Sequence, residues 1–297
     1  MTIRLHGRWR QHSHSERAAF TLIEFLVVIA IIGVLVSLLL PSLSQVKIRT
    51  RDTQCLGNFK QVGLAFKYFV DDWDAYPPSN VAEFDPDLNR RVRKRVTPAV
   101  GGINPAPSPY SIQYPQATNR PLHRYQGDPR IFHCPMDKGH NGDLDWPRPI
   151  HLRDKPTSWE TAGCSYLYNA ALEGLADTNR SPPLLPFTLL PNSGSLAGKA
   201  ETWVKQPDKF ILMNEPPAVI RMQMISPRVG IPWWTQWHRN RGRTDFRDPG
   251  IAPPLFVSPV LFVDGHAAVH DFSQSVMTDP YYPYEETKDW IWYQPRN

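Results

Sequence analysis

The sequence predicts an α+β protein: a long N-terminal helix, membrane-spanning in its first half, packed on a small antiparallel β-sheet with long proline-rich loops. Three observations predict it. Of 31 prolines in 297 residues, only Pro41 precedes Tyr76. Proline lacks the N–H and clashes with the preceding turn, so the first stretch is free to be helical and the rest excludes long helices and central strands. Residues 20–40, FTLIEFLVVIAIIGVLVSLLL, carry one charge, Glu24. Residues 260–270 place Asp264-Gly265 between two apolar runs, a strong local hairpin signal for a two-residue turn with positive φ at both residues. An all-helical bundle and a doubly wound sheet of long alternating elements are both excluded.

The remaining totals bound less. Charged residues at 21% and hydrophobic ones at 41% describe a folded chain. The net charge is +5, but Arg4, Arg8, Arg10 and Arg17 against Glu16 concentrate most of it at the N-terminus, which gives general nucleic-acid binding little support. Three cysteines, Cys55, Cys134 and Cys164, are too few for a disulfide scaffold.

The apolar run is the first element. At 1.5 Å per residue it makes a helix of about 31 Å, enough to cross a bilayer core. A secretory signal peptide has a shorter apolar region followed by a small-residue cleavage site. Ser42-Leu43-Ser44 offers such a site and keeps a secreted protein beginning at Gln45 as an alternative. Glu24 costs on the order of 2–3 kcal/mol in hydrocarbon and so implies a partner. A cut between Ala19 and Phe20 would create an amine one helical turn away, which Glu24 of a neighbouring subunit would neutralise.

These residues resemble a known family. Ala19-Phe-Thr-Leu-Ile-Glu24 followed by an apolar run is similar to the cleavage and methylation signal of type IV prepilins and type II secretion pseudopilins. The resemblance implies a pilin-like fold and a cytoplasmic leader, residues 1–19. It also implies a prepilin peptidase and N-methyltransferase that cuts after Ala19 and methylates Phe20, and Glu24 as the assembly glutamate. Pro41 falls where pilins commonly have a helix-kinking proline; Ala19 stands where the family usually has Gly. Implied partners are other pilin or pseudopilin subunits and the inner membrane, with the C-terminal bulk in the periplasm or on the cell surface. The charge flanks, four Arg before the span against Lys47, Arg49 and Arg51 after it, decide orientation weakly.

Next comes an amphipathic spine, residues 41–76. Phe59, Val62, Phe66, Phe69 and Trp73 recur at helical spacing, with Leu43, Val46 and Leu56 upstream. The expectation is one kinked rod, residues 20–73, of ~80 Å. The block from Cys55 to Ala65 resembles a segment common in pilin-like proteins of the Planctomycetes and Verrucomicrobia type. Phe132–Asp137 and Cys164–Asn169 resemble internal blocks of that group. Its C-terminal signature sets a His ahead of an Asp-Gly with nine residues between them; here the tenth position upstream of Asp264 is Pro254 and the nearest upstream His is His238, so the signature is broken or stretched.

The head, residues 77–297, opens with a loop-rich stretch to residue 130 and then short strand-like pieces at 163–169, 210–213 and 255–257. Little in it reads as chemistry. No nucleophile elbow, phosphate loop or His-Glu-x-x-His occurs, so no enzyme and no cofactor are expected. Asp137–Gly142 partly matches a calcium loop, but Gly139 and Arg148 stand where ligands are needed. His266 and His270, four residues apart on a strand, are ~13 Å from each other and share no metal. Cys134 and Cys164 are a possible disulfide in an oxidising compartment. Arg90, Arg91, Arg93, Lys94 and Arg95 form a run that reads as a solvated loop; its functional alternative is an anionic ligand such as DNA, lipid head groups or an acidic subunit. Arg239, Arg241, Arg243 and Arg247 form a looser set. Trp233, Trp234 and Trp237 beside them are core-filling, or a stacking patch.

The function expected is structural: a subunit of a type II secretion pseudopilus or type IV pilus-like filament. The alternatives are a minor tip subunit whose head binds DNA or another envelope ligand, and a secreted enzyme.

Overall fold

The structure is a computed structural model, and it describes residues 22–85, 89–97, 99–107, 114–139, 157–170, 195–219, 237–239, 255–278 and 286–292. The chain divides into two compact units, Met1–Lys47 and Ile48–Asn297. One helix, α1 (Leu22–Trp73, 52 residues), supplies the described part of the first unit and opens the second. Its helical assignment continues through Pro41.

In the first unit, Leu22–Leu40 is long and apolar enough to cross a membrane, and none of it is buried in the protein. In the second unit the helix is one-sided. Asp52, Cys55, Phe59, Val62, Phe66, Phe69 and Val70 are buried, a spacing of three and four that makes one stripe. Phe59 meets Tyr166 at 4.4 Å between ring centroids, and Phe66 meets Tyr168 at 5.1 Å. Gly63 sits where the helix approaches the sheet; a Cβ there would lie 3.3 Å from Leu261. Trp73 departs from the expected stripe. It is 65% exposed, stacks on Phe69, and donates its Nε1–H to the Tyr125 hydroxyl at 3.2 Å.

Two antiparallel sheets lie among the described residues. The larger has the order β3-β4-β5-β6, with β3 (Leu167–Tyr168), β4 (Ile211–Asn214), β5 (Val257–Phe262) and β6 (Ala267–Asp271). Strands β4 and β5 are buried at every position, as strands packed on both faces are. Pro259 is tolerated inside β5 because the last β4 pair is Asn214 with Val260; one position beyond, a missing N–H breaks no β4 ladder bond.

The β5–β6 hairpin is where the Asp-Gly signal placed it, with a different turn. Gly265 alone takes a positive φ, 90°. Its N–H donates to the Phe262 carbonyl at 3.0 Å, and the Phe262 N–H donates to the His266 carbonyl at 2.9 Å. This is a three-residue loop closed by a left-handed glycine, not the two-residue turn in which both centres need positive φ.

The smaller sheet corrects the reading of residues 79–130 as loops. Strand β1 (Asn80–Asp85) pairs with β2 (Arg90–Arg95), so the basic run is a strand. Alternation explains it: Lys94 turns inward to Asp85, 3.5 Å away and as buried as its partner, while Arg91, Arg93 and Arg95 face out. A long run of charge hides the period-two pattern when the inward residue is itself a lysine.

A short helix, α2 (Ser158–Ala162), is fixed at both ends. Thr157 and Glu160 form a reciprocal capping box, and Gly163 closes it in the left-handed conformation. Arg120 then threads between loops, donating to the Gly101, Ala162 and Pro115 carbonyls at 2.6, 2.7 and 3.1 Å. Burial lowers its pKa to about 10, with Cys164 and Glu83 opposing the shift. A third helix, α3 (Ser273–Thr278), follows β6.

Candidate functional site

Two groups of residues in the described structure have chemistry that packing alone does not account for. One is the lipid-like face of residues 22–40, where Phe25, Ile32, Val34 and Leu38 are all exposed. Glu24 lies in the first turn of α1, and Pro41 lies within the same helix. Ala19 and Phe20 fall outside the described residues.

The other group is a buried polar cluster in the second unit, built from four separate elements. Helix α1 contributes Asp52 and Cys55, one turn apart on its buried stripe. The segment after the turn Pro129–Phe132 contributes Cys134. Its neighbour His133 is held by Asn58, whose Nδ2 donates to the His133 carbonyl at 2.9 Å, and by stacking on Trp159. Glu215 follows β4 directly, its carbonyl accepting from Asn214 Nδ2 and from the Ala218 N–H. His238 comes from residues 237–239, beside the fully buried Trp237.

The contacts are short and continuous. Cys55 Sγ lies 2.9 Å from Cys134 Sγ, and Cys134 Sγ lies 3.6 Å from His238 Nε2. His238 Nε2 is 2.7 Å from Glu215 Oε2, and His238 Nδ1 is 2.6 Å from Asp52 Oδ1. Arg239 closes the outer end, donating to Asp52 Oδ2 at 2.7 Å. The Met136 N–H donates to Cys134 Sγ at 3.3 Å. Glu215 Oε1 is buried and has no hydrogen-bond partner among the described residues.

Burial opposes a charge on His238, yet Glu215 and Asp52 outweigh it and push its pKa up to about 12. Burial likewise opposes a charge on Asp52, and the bonds from His238 and Arg239 overcome it to hold that carboxyl below its ordinary value. The bond from Cys134 lowers the Cys55 thiol, whereas burial pushes the Cys134 thiol up. The cluster is therefore an imidazole held between two carboxylates, with a thiol pair against one edge. Cys55, Cys134, Glu215 and His238 each aim one metal-binding atom into a common space, all within 4.8 Å of one another.

The structure brings Cys134 to Cys55 and not to Cys164. All three are buried free thiols, and Cys164 donates to the Tyr166 carbonyl instead. Cys164 sits immediately after the Gly163 cap of α2, and its thiol is taken up by the Tyr166 carbonyl two residues on. Asp137, the first residue of the partial calcium loop, spends its carboxylate on protein donors. It accepts from the Ser158, Trp159 and Gly139 N–H groups and the Ser165 hydroxyl, and burial raises its pKa to about 6. The rest of that loop from residue 140 lies outside the described residues, as do Trp233, Trp234, Arg241, Arg243 and Arg247. His266 pairs with Asp264 and stacks on Phe262; His270 packs edge-on to Trp290.

Sequence reasoning missed Asp52, Glu215 and the convergence of Cys55 and His238. The usable signals are faint: an odd cysteine in the helical block, and a His, His238, displaced from the spacing of the C-terminal signature. No Cys-x-x-Cys pair announces the site, because each donor arrives from a different part of the chain.

Comparison with known proteins bears on the N-terminal group. Residues 15–40 match the family model described as the prokaryotic N-terminal methylation motif. The chain is also similar to the type IV major pilin protein PilA of Myxococcus xanthus (strain DK1622), 29% identical over 146 residues, or 48% of this chain. The match spans 62% of the length of that relative. No solved structure matches the chain.

Proposed function

We propose that the chain is a pilin-like structural subunit of a type II secretion pseudopilus or a type IV pilus-like filament. A prepilin peptidase removes residues 1–19 and methylates Phe20, and mature subunits assemble through residues 20–40 from the inner membrane, heads outward. The observation that carries the reading is the coincidence of the methylation motif at 15–40 with a helix whose residues 22–40 bury nothing within the chain. A helix apolar on every face has to be covered by something, first lipid and then copies of itself.

In this assembly Glu24 acts as a register pin. A carboxylate among apolar helices is costly unless paired, and the Phe20 ammonium of an adjacent subunit is the charge that pairs with it. Subunits that slip by a turn leave both charges uncompensated, so the wrong registers are penalised. Glu24→Ala is expected to be processed at Phe20 yet to yield no sheared filaments. Normal filaments from that variant would remove Glu24 from this role.

A second reading has its own observation. Strand β2 lies in a two-stranded sheet with Arg90, Arg91, Arg93 and Arg95 exposed, a spacing suited to phosphates or another anionic surface. On this reading the chain is a minor tip subunit that binds DNA or an acidic envelope ligand. Replacing these four arginines with serine in the full chain should abolish salt-sensitive retention on DNA while leaving filament yield unchanged. Unchanged retention would refute it.

A further inference from the structure

We propose that Cys55, Cys134, Glu215 and His238 form a buried, four-coordinate structural zinc site that ties α1 to the head. It stands independently of the filament reading, because every residue involved lies within Ile48–Asn297.

The donor set comes first. Two thiolates, an imidazole and a carboxylate are the ligand types that zinc takes in tetrahedral sites, and the sulfur pair disfavours magnesium and calcium, which prefer oxygen. Geometry agrees. Bond lengths of ~2.3 Å to sulfur and ~2.0–2.1 Å to nitrogen and oxygen place tetrahedral donors roughly 3.3–3.8 Å apart. Three of the six donor separations are 2.9, 3.6 and 2.7 Å and all six lie within 4.8 Å, so movements of about 1 Å reach that spacing.

The surroundings agree as well. His238 turns Nε2 to the cluster while Nδ1 bonds Asp52, which Arg239 holds in turn. A carboxylate behind a ligating imidazole is what fixes the tautomer and ring direction in zinc proteins. The Met136 N–H on Cys134 Sγ supports a thiolate. The orphaned Glu215 Oε1 remains available as well as Oε2 to a cation. A thiol pair is a poor hydrogen-bonding partner for a buried acid and imidazole, so a packing role leaves the combination without a reason. Loading sends to solvent the protons on the thiols and on Nε2, and Nδ1–H stays with Asp52. With four protein donors and no open position, the site is structural rather than catalytic. It joins the helix stripe, the 132–137 segment, the end of β4 and the 237–239 segment at one point. A proline-rich head with short strands gains most from such a staple.

The test uses the full chain purified in detergent. Elemental analysis should find one zinc per chain, retained in Cys164→Ser and lost in Cys55→Ser. Asp52→Asn, which keeps the four ligands, should weaken zinc in chelator competition by about 10–100-fold. Cobalt(II) substituted into the wild type should give thiolate charge-transfer absorption and tetrahedral visible bands, a readout that survives even if Cys55→Ser fails to fold. Four outcomes overturn the proposal: folded chain without metal, a Cys55–Cys134 disulfide found by mass, cobalt spectra without thiolate bands, or preferential retention of iron(II) when zinc is supplied equally.

Discussion

Helix α1 is two different objects in one run of backbone. From Leu22 to Leu40 it is apolar on every face and exposed throughout. From Ile48 to Trp73 it is divided, with Cys55, Phe59, Val62 and Phe66 buried while Leu64 and Tyr68 are each 58% exposed. The first half meets a surrounding that is the same in all directions; the second half meets a sheet on one side and water on the other. An apolar residue therefore means something different in each: in the first half any position counts, and in the second only the stripe does.

That contrast can be broken by substitution. The largest energetic effect belongs to the stripe. Phe66→Ala removes a fully buried ring packed on Tyr168 and should cost about 3–5 kcal/mol of head stability, measured by denaturant unfolding. Ile31→Asp, on an exposed face of the first half, should cost about 3–4 kcal/mol of membrane insertion and leave the unfolding of the head unchanged. An insertion assay showing no loss would mean that Leu22–Leu40 does not meet lipid.

Smaller effects sharpen the same division. Thr157→Ala breaks the α2 capping box and should lower head stability by about 1 kcal/mol, with membrane insertion unaffected. Leu64→Ser, on the outward side of the second half, should stay within about 0.5 kcal/mol. A larger loss there would mean that another surface covers this side of the helix.

What was legible in the sequence follows the same logic. The apolar run, the stripe and the Asp264-Gly265 hairpin were readable because each is a repeating or local pattern. The turn type was not, since it depends on how Val263 to Gly265 close the β5–β6 ladder. Strand β2 was hidden by its own charge, for Lys94 is buried by virtue of Asp85 across the hairpin. The polar cluster was least legible of all. Cys55, Cys134, Glu215 and His238 are separated by long stretches of chain, and only the packing of α1 on the head gives them a common centre. Pattern reading finds what repeats, whereas a site assembled from single residues of several elements leaves no period to find.

The proposal at the centre of this account is that the apolar half of α1 is a processed assembly helix. Mass spectrometry of the mature N-terminus tests it most directly. A processed assembly helix requires a chain beginning at N-methylated Phe20; a chain beginning at Gln45, or one retaining Met1, would contradict that role.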